Sequence, residues 1–197
     1  IGNSFQDGNS GSIDITEVWP NGFDSVQALG SHNDKLIIFG KDNIVIYEGA
    51  TSPANMTIYD SMSGVGSVAK NGIVYTGNDM LFLSDTGFRS LGRSFADKGA
   101  LPLSDLSNNI RNEFLTQVRL ELDANDGALM CSYSPEQALA LVHFFSTGLV
   151  YAFDTRVSLE DGTRRVTRWP GSPFYCAHRA RSGKLYVGGT AGVGQYF

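Results

Sequence analysis

The sequence predicts an all-β fold, with β-propeller-like repeats of antiparallel hairpins and one short helical insertion. Three observations carry this expectation. An apolar run, a Gly-containing turn and a second apolar run recur four times along the chain. Gly is abundant at 23 residues and Pro scarce at 6, a balance suited to many short strands joined by tight turns. A longer phrase also repeats. WPNGFDSVQALGSHNDKLIIFG over 19–40 is echoed by WPGSPFYCAHRARSGKLYVG over 169–188.

The four hairpins follow in order. KLIIF-GKDN-IVIYEG starts at Lys35 and turns through Gly40, Asp42 and Asn43. GIVYT-GND-MLFLSDTG starts at Gly72 and turns around Gly77-Asn78-Asp79. LALVHFF-STG-LVYAFDT starts at Leu139 and turns at Ser146-Thr147-Gly148. KLYV-GGTAG-VGQYF starts at Lys184 and turns through Gly188–Gly192. Val, Ile, Leu, Phe and Tyr dominate each run, which marks strands, and Gly in each turn marks a hairpin. A strand before the hairpin, such as SVQAL or FYCAH, makes three or four strands per unit. The two Trp-Pro phrases lie about 150 residues apart, room for roughly three units of propeller-blade length. Small antiparallel sheets repeated radially are one solution to exposed sheet edges. Serial hairpins also occur in β-sandwiches, but the repeated Trp-Pro to Lys-Leu unit favours the propeller.

One segment breaks the pattern. LPLSDLSNNIRNEFLTQV is expected to be helical over about 104–118, with Ser104 as N-cap and Asp105 at the positive first turn. Leu106, Ile110, Phe114 and Val118 recur at i+4 and form one apolar stripe. SLEDGTRR over 158–165 is expected to be an exposed loop between strands.

Composition narrows the function. The formal net charge is −5, which excludes a generally basic nucleic-acid binder. Charge is uneven, however. Residues 155–184 hold seven Arg and Lys against Glu160 and Asp161, a local +5, so the remainder sums to −10. Such a region serves either as a contact surface for an acidic neighbour or nucleic acid, or as a solvated loop. Cys131 and Cys176 have neither metal-site spacing nor disulfide density, and buried reduced thiols are the default expectation. The longest apolar run, ALALVHFF over 138–145, is too short to span a bilayer, so no stable membrane insertion is expected. The chain starts at Ile1 without a Met and ends on an apparent strand, VGQYF, which suggests part of a larger chain.

Candidate chemistry is sparse. Asp85-Thr86-Gly87 matches the triplet of an aspartic protease, which needs a second carboxylate sharing a proton. The nearest match is Asp154-Thr155, where Arg156 replaces the Gly and favours the ionised form. Glu48, Asp85 and Asp154 are all expected to leave hairpins, so a turn role for Asp85 outweighs catalysis. His32, His143 and His178 lack ligand spacing, and His143 sits in an apolar run. DANDG over 123–127 lacks the remaining ligands of a calcium loop, and GGTAGVG over 188–194 lacks the Lys and helix of a phosphate cradle. No catalytic residue, metal ligand or cofactor is therefore expected. The aromatic residues alternate within strands and suit a core better than a base-stacking platform.

Taken together, certain phrases resemble a family. GNDMLFLSDTGFRSLGRS, followed within about ten residues by LPLSDLSNNI, is similar to the tail nozzle proteins of short-tailed phages, of the tail tubular protein B and tail stabilisation type. KLIIFGKDNIVIYEG resembles their earlier blade strands, and RWPGSPFYCAHRARSGKLYVGGTAGVGQY their later blade, so the likeness covers roughly 19–197. The resemblance implies a non-enzymatic virion protein, assembled in the host cytoplasm as a ring, typically a hexamer. It implies portal-adaptor and tail fibre or spike proteins as partners, and transient passage of double-stranded DNA. Arg164, Arg165 and Arg168 then become candidate intersubunit contacts to acidic loops. A carbohydrate-binding or protein-interaction propeller is the alternative expectation.

Overall fold

The computed structural model describes residues 14–96, 105–125, 129–171, 174–189 and 192–196. The chain divides into two compact units, 1–66 and 67–197. All strand pairings between named strands are antiparallel, and strands far outnumber helices, so the fold is all-β.

The first unit is a meander of β1 (Ala28–His32), β2 (Lys35–Phe39), β3 (Asn43–Glu48) and β4 (Thr57–Ser63), hydrogen-bonded in that order. Asn33 and Asp34 join β1 to β2 with φ of 50° and 58°, the left-handed pair that a two-residue hairpin turn requires. The β2–β3 turn is held from outside. Asp24 accepts hydrogen bonds from the backbone N–H groups of Lys41 and Asp42 and from Asn43 Nδ2, at 2.8–2.9 Å. Gly40 lies so close that a Cβ there would collide with the Asp24 carboxylate. One face of β2–β3 packs Ile38, Val45 and Tyr47 on Trp19. On the other face Ile37, Phe39, Ile44 and Ile46 are also buried.

The second unit opens with β5 (Ile73–Tyr75), β6 (Met80–Ser84) and β7 (Gly87–Ser90), followed by α1 (Leu91–Ala96). Gly-Phe-Arg-Ser is the strand β7, with all four residues buried. A bridge from Arg89 to Asp105 adds one further antiparallel pair at this edge. After a 3-10 turn at Asn108–Ile110 comes α2 (Arg111–Asn125). β8 (Met130–Ser134), β9 (Leu139–Phe144), β10 (Leu149–Ser158) and β11 (Arg164–Trp169) form a second meander. β12 (Phe174–Arg179), β13 (Leu185–Gly189) and β14 (Gly192–Tyr196) form the last sheet. LEDGT over 159–163 is the loop between β10 and β11, while Arg164 and Arg165 already belong to β11.

The helix also differs from expectation. It runs 111–125 rather than 104–118, and Ser104 lies outside the described residues. Asp105 is not in its first turn. Its Oδ1 accepts hydrogen bonds from the Ser107 N–H and hydroxyl at 2.9 and 2.7 Å, a local turn that competes with helix. The apolar stripe is nevertheless right. Leu106, Phe114 and Val118 are buried, and Ile110 packs beside them.

Two apolar layers flank the β8–β11 sheet. Ala140, Val142, Phe144, Tyr151 and Phe153 meet Leu81, Leu83, Phe88 and the α2 stripe on one side. Phe114 stands edge-on to Phe144, Tyr151 and Phe153, with centroids 5.3–6.0 Å apart. Leu141, Val150 and Ala152 meet Leu185 and Val187 of β13 on the other. The three sheets thus follow one another in chain order, with the middle one covered on both faces.

Candidate functional site

Side chains alternate along a strand, so β11 sends Arg164, Val166 and Arg168 to one face and Arg165 and Trp169 to the other. Val166 joins the Phe114 layer and Trp169 the β13 layer, as that alternation requires. The three arginines therefore do not form one patch. Arg168 Nη1 donates to Glu113 Oε1 of α2 at 2.8 Å, and the same oxygen accepts from the Tyr151 hydroxyl at 2.8 Å. Burial, with the bond to Glu113 adding to it, pushes Tyr151 up to about 12. Arg164 is half-buried and donates from Nη1 to Thr155 O at 3.2 Å. Arg165 is exposed, and its charge helps to lower the Asp154 carboxyl pKa.

Arg164 also lines a cleft of about 240 Å³ with Thr76, Asn78, Asp79, Tyr133 and Thr155. The turn between β5 and β6 supplies one wall, and β8, β10 and β11 the other. Asp79 is a structural carboxylate here. Its Oδ1 accepts the Met80 and Gly92 N–H groups at 2.8 and 3.1 Å, and its Oδ2 accepts the Ser90 hydroxyl. It thereby ties the turn to the start of α1. Arg93 of α1 donates to Gly162 O and Ser158 Oγ, both at 2.6 Å. Burial lowers the Arg164 pKa, and the like charge of Arg93 lowers it further. In the sequence Asn78 and Asp79 stand out only as turn residues, and no local pattern singles out Arg93. Their distance in the chain from Arg164 hides the cleft.

Asp85 and Thr86 form the two-residue turn between Ser84 and Gly87, which pair across β6–β7. The Asp85 carboxylate is exposed and accepts from Ser84 Oγ at 3.0 Å. Asp154 is not at a hairpin exit. It pairs with Leu139 inside β10, which runs on to Ser158. Arg156 Nε donates to its carboxylate at 2.9 Å, and that bond holds it down to about 2. Glu48 does end its strand, 3.5 Å from Lys35 Nζ.

His143 is buried, with Nε2 2.8 Å from Ser132 Oγ and its ring edge-on to Phe174. Burial lowers its pKa to about 4. Among the described residues no group of three or more His, Cys, Asp or Glu is placed to hold a metal ion. Asp123, Ala124 and Asn125 of the DANDG stretch finish α2. Cys131 is buried and unpaired, and burial pushes its thiol up. Cys176 is exposed, against the expectation of two buried thiols, because it sits on the outermost sheet rather than the covered one.

No family model and no curated protein matches the chain. The chain is similar to the computationally designed Ika4 protein. That crystal structure is 10% identical, with 88% of this chain and 91% of that chain covered, at a TM-score of 0.47. A likeness at that level carries no argument about this chain. No helix among the described residues is long and apolar enough to cross a membrane.

Proposed function

We propose that this chain is a structural part of a short-tailed phage tail nozzle, a β-propeller-like wall through which DNA is ejected. The observation that carries the reading is the ordered set of phrases from GNDMLFLSDTGFRSLGRS to LPLSDLSNNI, flanked by the two Trp-Pro units. The succession of small antiparallel sheets in the 67–197 unit supports it, because a covered middle sheet is how blades bury two faces. A four-stranded meander of the same order occupies the 1–66 unit.

The charge is compatible with a conduit. A wall that repels phosphate does not grip the duplex, and outside 155–184 the chain carries −10. Copies of the chain form the ring, a hexamer in this reading, with portal-adaptor and fibre or spike proteins at its ends. Its place is the virion, after assembly in the host cytoplasm. Of the three arginines on β11, Arg165 is the exposed one whose side chain is not tied by a hydrogen bond or ion pair among the described residues, with Asp154 as its electrostatic neighbour.

Native mass spectrometry tests the assembly. A symmetric ring is expected, and a monomer across micromolar concentrations overturns the proposal. Arg165→Glu is expected to shift the ring towards monomer. Rings of unchanged stability would remove Arg165 from the contact.

A further inference from the structure

Among the described residues the four sheets have eight edge strands, and six of those edges are blunted or covered. β4 carries Asp60 and a register shift opposite Ile46 and Tyr47. β11 carries three arginines and β12 carries Arg179, and the pairing of each with its neighbour also shifts register. β5 has only three residues. β7 is bridged from Arg89 to Asp105, and β8 from Met130 to Asn71. Charge, bulges, short length and added cover are how a sheet edge avoids pairing with another chain.

β1 and β14 have none of these devices. Each is five residues long, without Asp, Glu, Lys, Arg or Pro, and each pairs with its neighbour in unbroken register. Among the described residues no backbone hydrogen bond from outside the sheet reaches 28–31 or 192–196. Leu29 is 57% exposed and Val193 79%. Both edges therefore offer a row of unpaired N–H and C=O groups with an apolar side chain alongside.

The two bare edges belong to parts of opposite charge. Residues 1–66 hold eight Asp and Glu against Lys35 and Lys41, a net of −6. Residues 174–197 hold Arg179, Arg181 and Lys184 and no acid, a net of +3. Opposite charge draws unlike parts together and keeps like parts apart. A two-fold joint, β14 on β14 or β1 on β1, would set like charges against each other.

We propose that the β14 edge of one copy pairs with the β1 edge of a second copy. The joint makes one seven-stranded sheet, with β12–β14 from one copy and β1–β4 from the next. Unlike surfaces joined head to tail give a closed ring or an open filament. For closure the proposal rests on the ring reading above, whose joint it names.

Leu29→Lys and Val193→Lys each put a charge on one edge, at an exposed side chain, and native mass spectrometry reads the result. Each variant alone is expected to stay monomeric at concentrations where the unaltered chain assembles. An equal mixture retains one intact β14 edge and one intact β1 edge, so it should form a dimer with one copy of each variant. A two-fold joint gives no such mixed dimer. Assembly of either variant alone, or a mixture that stays monomeric, overturns the proposal. Hydrogen exchange on the unaltered chain is the check that needs no variant. Assembly is expected to slow the amides of 28–32 and 192–196 together, and protection of only one stretch, or of neither, overturns the joint. Rings that persist in both variants remove this joint and leave the nozzle reading standing. Open filaments keep the joint and remove the ring, and a chain monomeric at every concentration removes both.

Discussion

Arg89 and Gly87 account for the Gly-Phe-Arg-Ser phrase residue by residue. Arg89 is 3% exposed, and its Nε and Nη2 donate to Thr86 Oγ1 at 3.0 and 2.8 Å. Burial lowers its pKa, and the nearby Asp105 opposes that. Gly87 has φ of 145° and lies against the Asp105 carboxylate, where a Cβ would collide. Gly87→Ala is therefore expected to cost about 2–4 kcal/mol in urea unfolding, through backbone strain and displacement of a buried charge. Asp85→Asn, two positions away on the exposed turn, should stay within about 0.5 kcal/mol. His143 sets a pH dependence. Its pKa is near 6.5 unfolded and about 4 folded, so between those values the unfolded chain binds more protons. Stability should fall as pH drops through that window, with His143 contributing roughly 3 kcal/mol of the loss. His143→Gln should flatten the profile. A wild-type urea midpoint that does not change across the window would contradict the buried, neutral imidazole.

Elements were legible where both strands and their turn are contiguous. The four hairpins β2–β3, β5–β6, β9–β10 and β13–β14 lie where apolar runs and Gly-containing turns place them. Strands β4, β7, β8 and β11 were not legible, because TIYDSMS or RRVTRW becomes a strand only beside its partner. The α2 stripe could be read from its i+4 spacing, while the boundaries could not. The Asp105 side chain takes the Ser107 N–H, and that turn delays the helix. The stripe carries the energy. Phe114→Ala is expected to cost about 3–5 kcal/mol, because it empties the centre of three edge-on aromatic contacts. Leu120→Ala, at a side chain 55% exposed on the same helix, should cost less than about 1 kcal/mol. Equal losses for the two in urea unfolding would mean that α2 is not held by this face.

For the whole molecule, charge is the property that composition fixes and assembly would use. If the exposed Arg165 meets an acidic neighbour, ring formation should weaken as salt rises, since exposed charges are screened beyond about 8 Å at physiological ionic strength. Salt-independent assembly, followed by light scattering, would point to an apolar contact instead. The sequence by itself determined the β class, the hairpin succession, the apolar stripe of α2 and the acidic balance. All of these rest on local periodicity or on counting, which need no knowledge of distant partners. Tertiary structure alone decided that Arg168 is spent on Glu113, that Arg164 turns into a cleft beside Arg93 and Asp79, and that Arg165 stays exposed with Asp154 as its electrostatic neighbour. Three arginines within five positions have three fates, because strand alternation sets their faces, and residues more than fifty positions away act on Arg164 and Arg168.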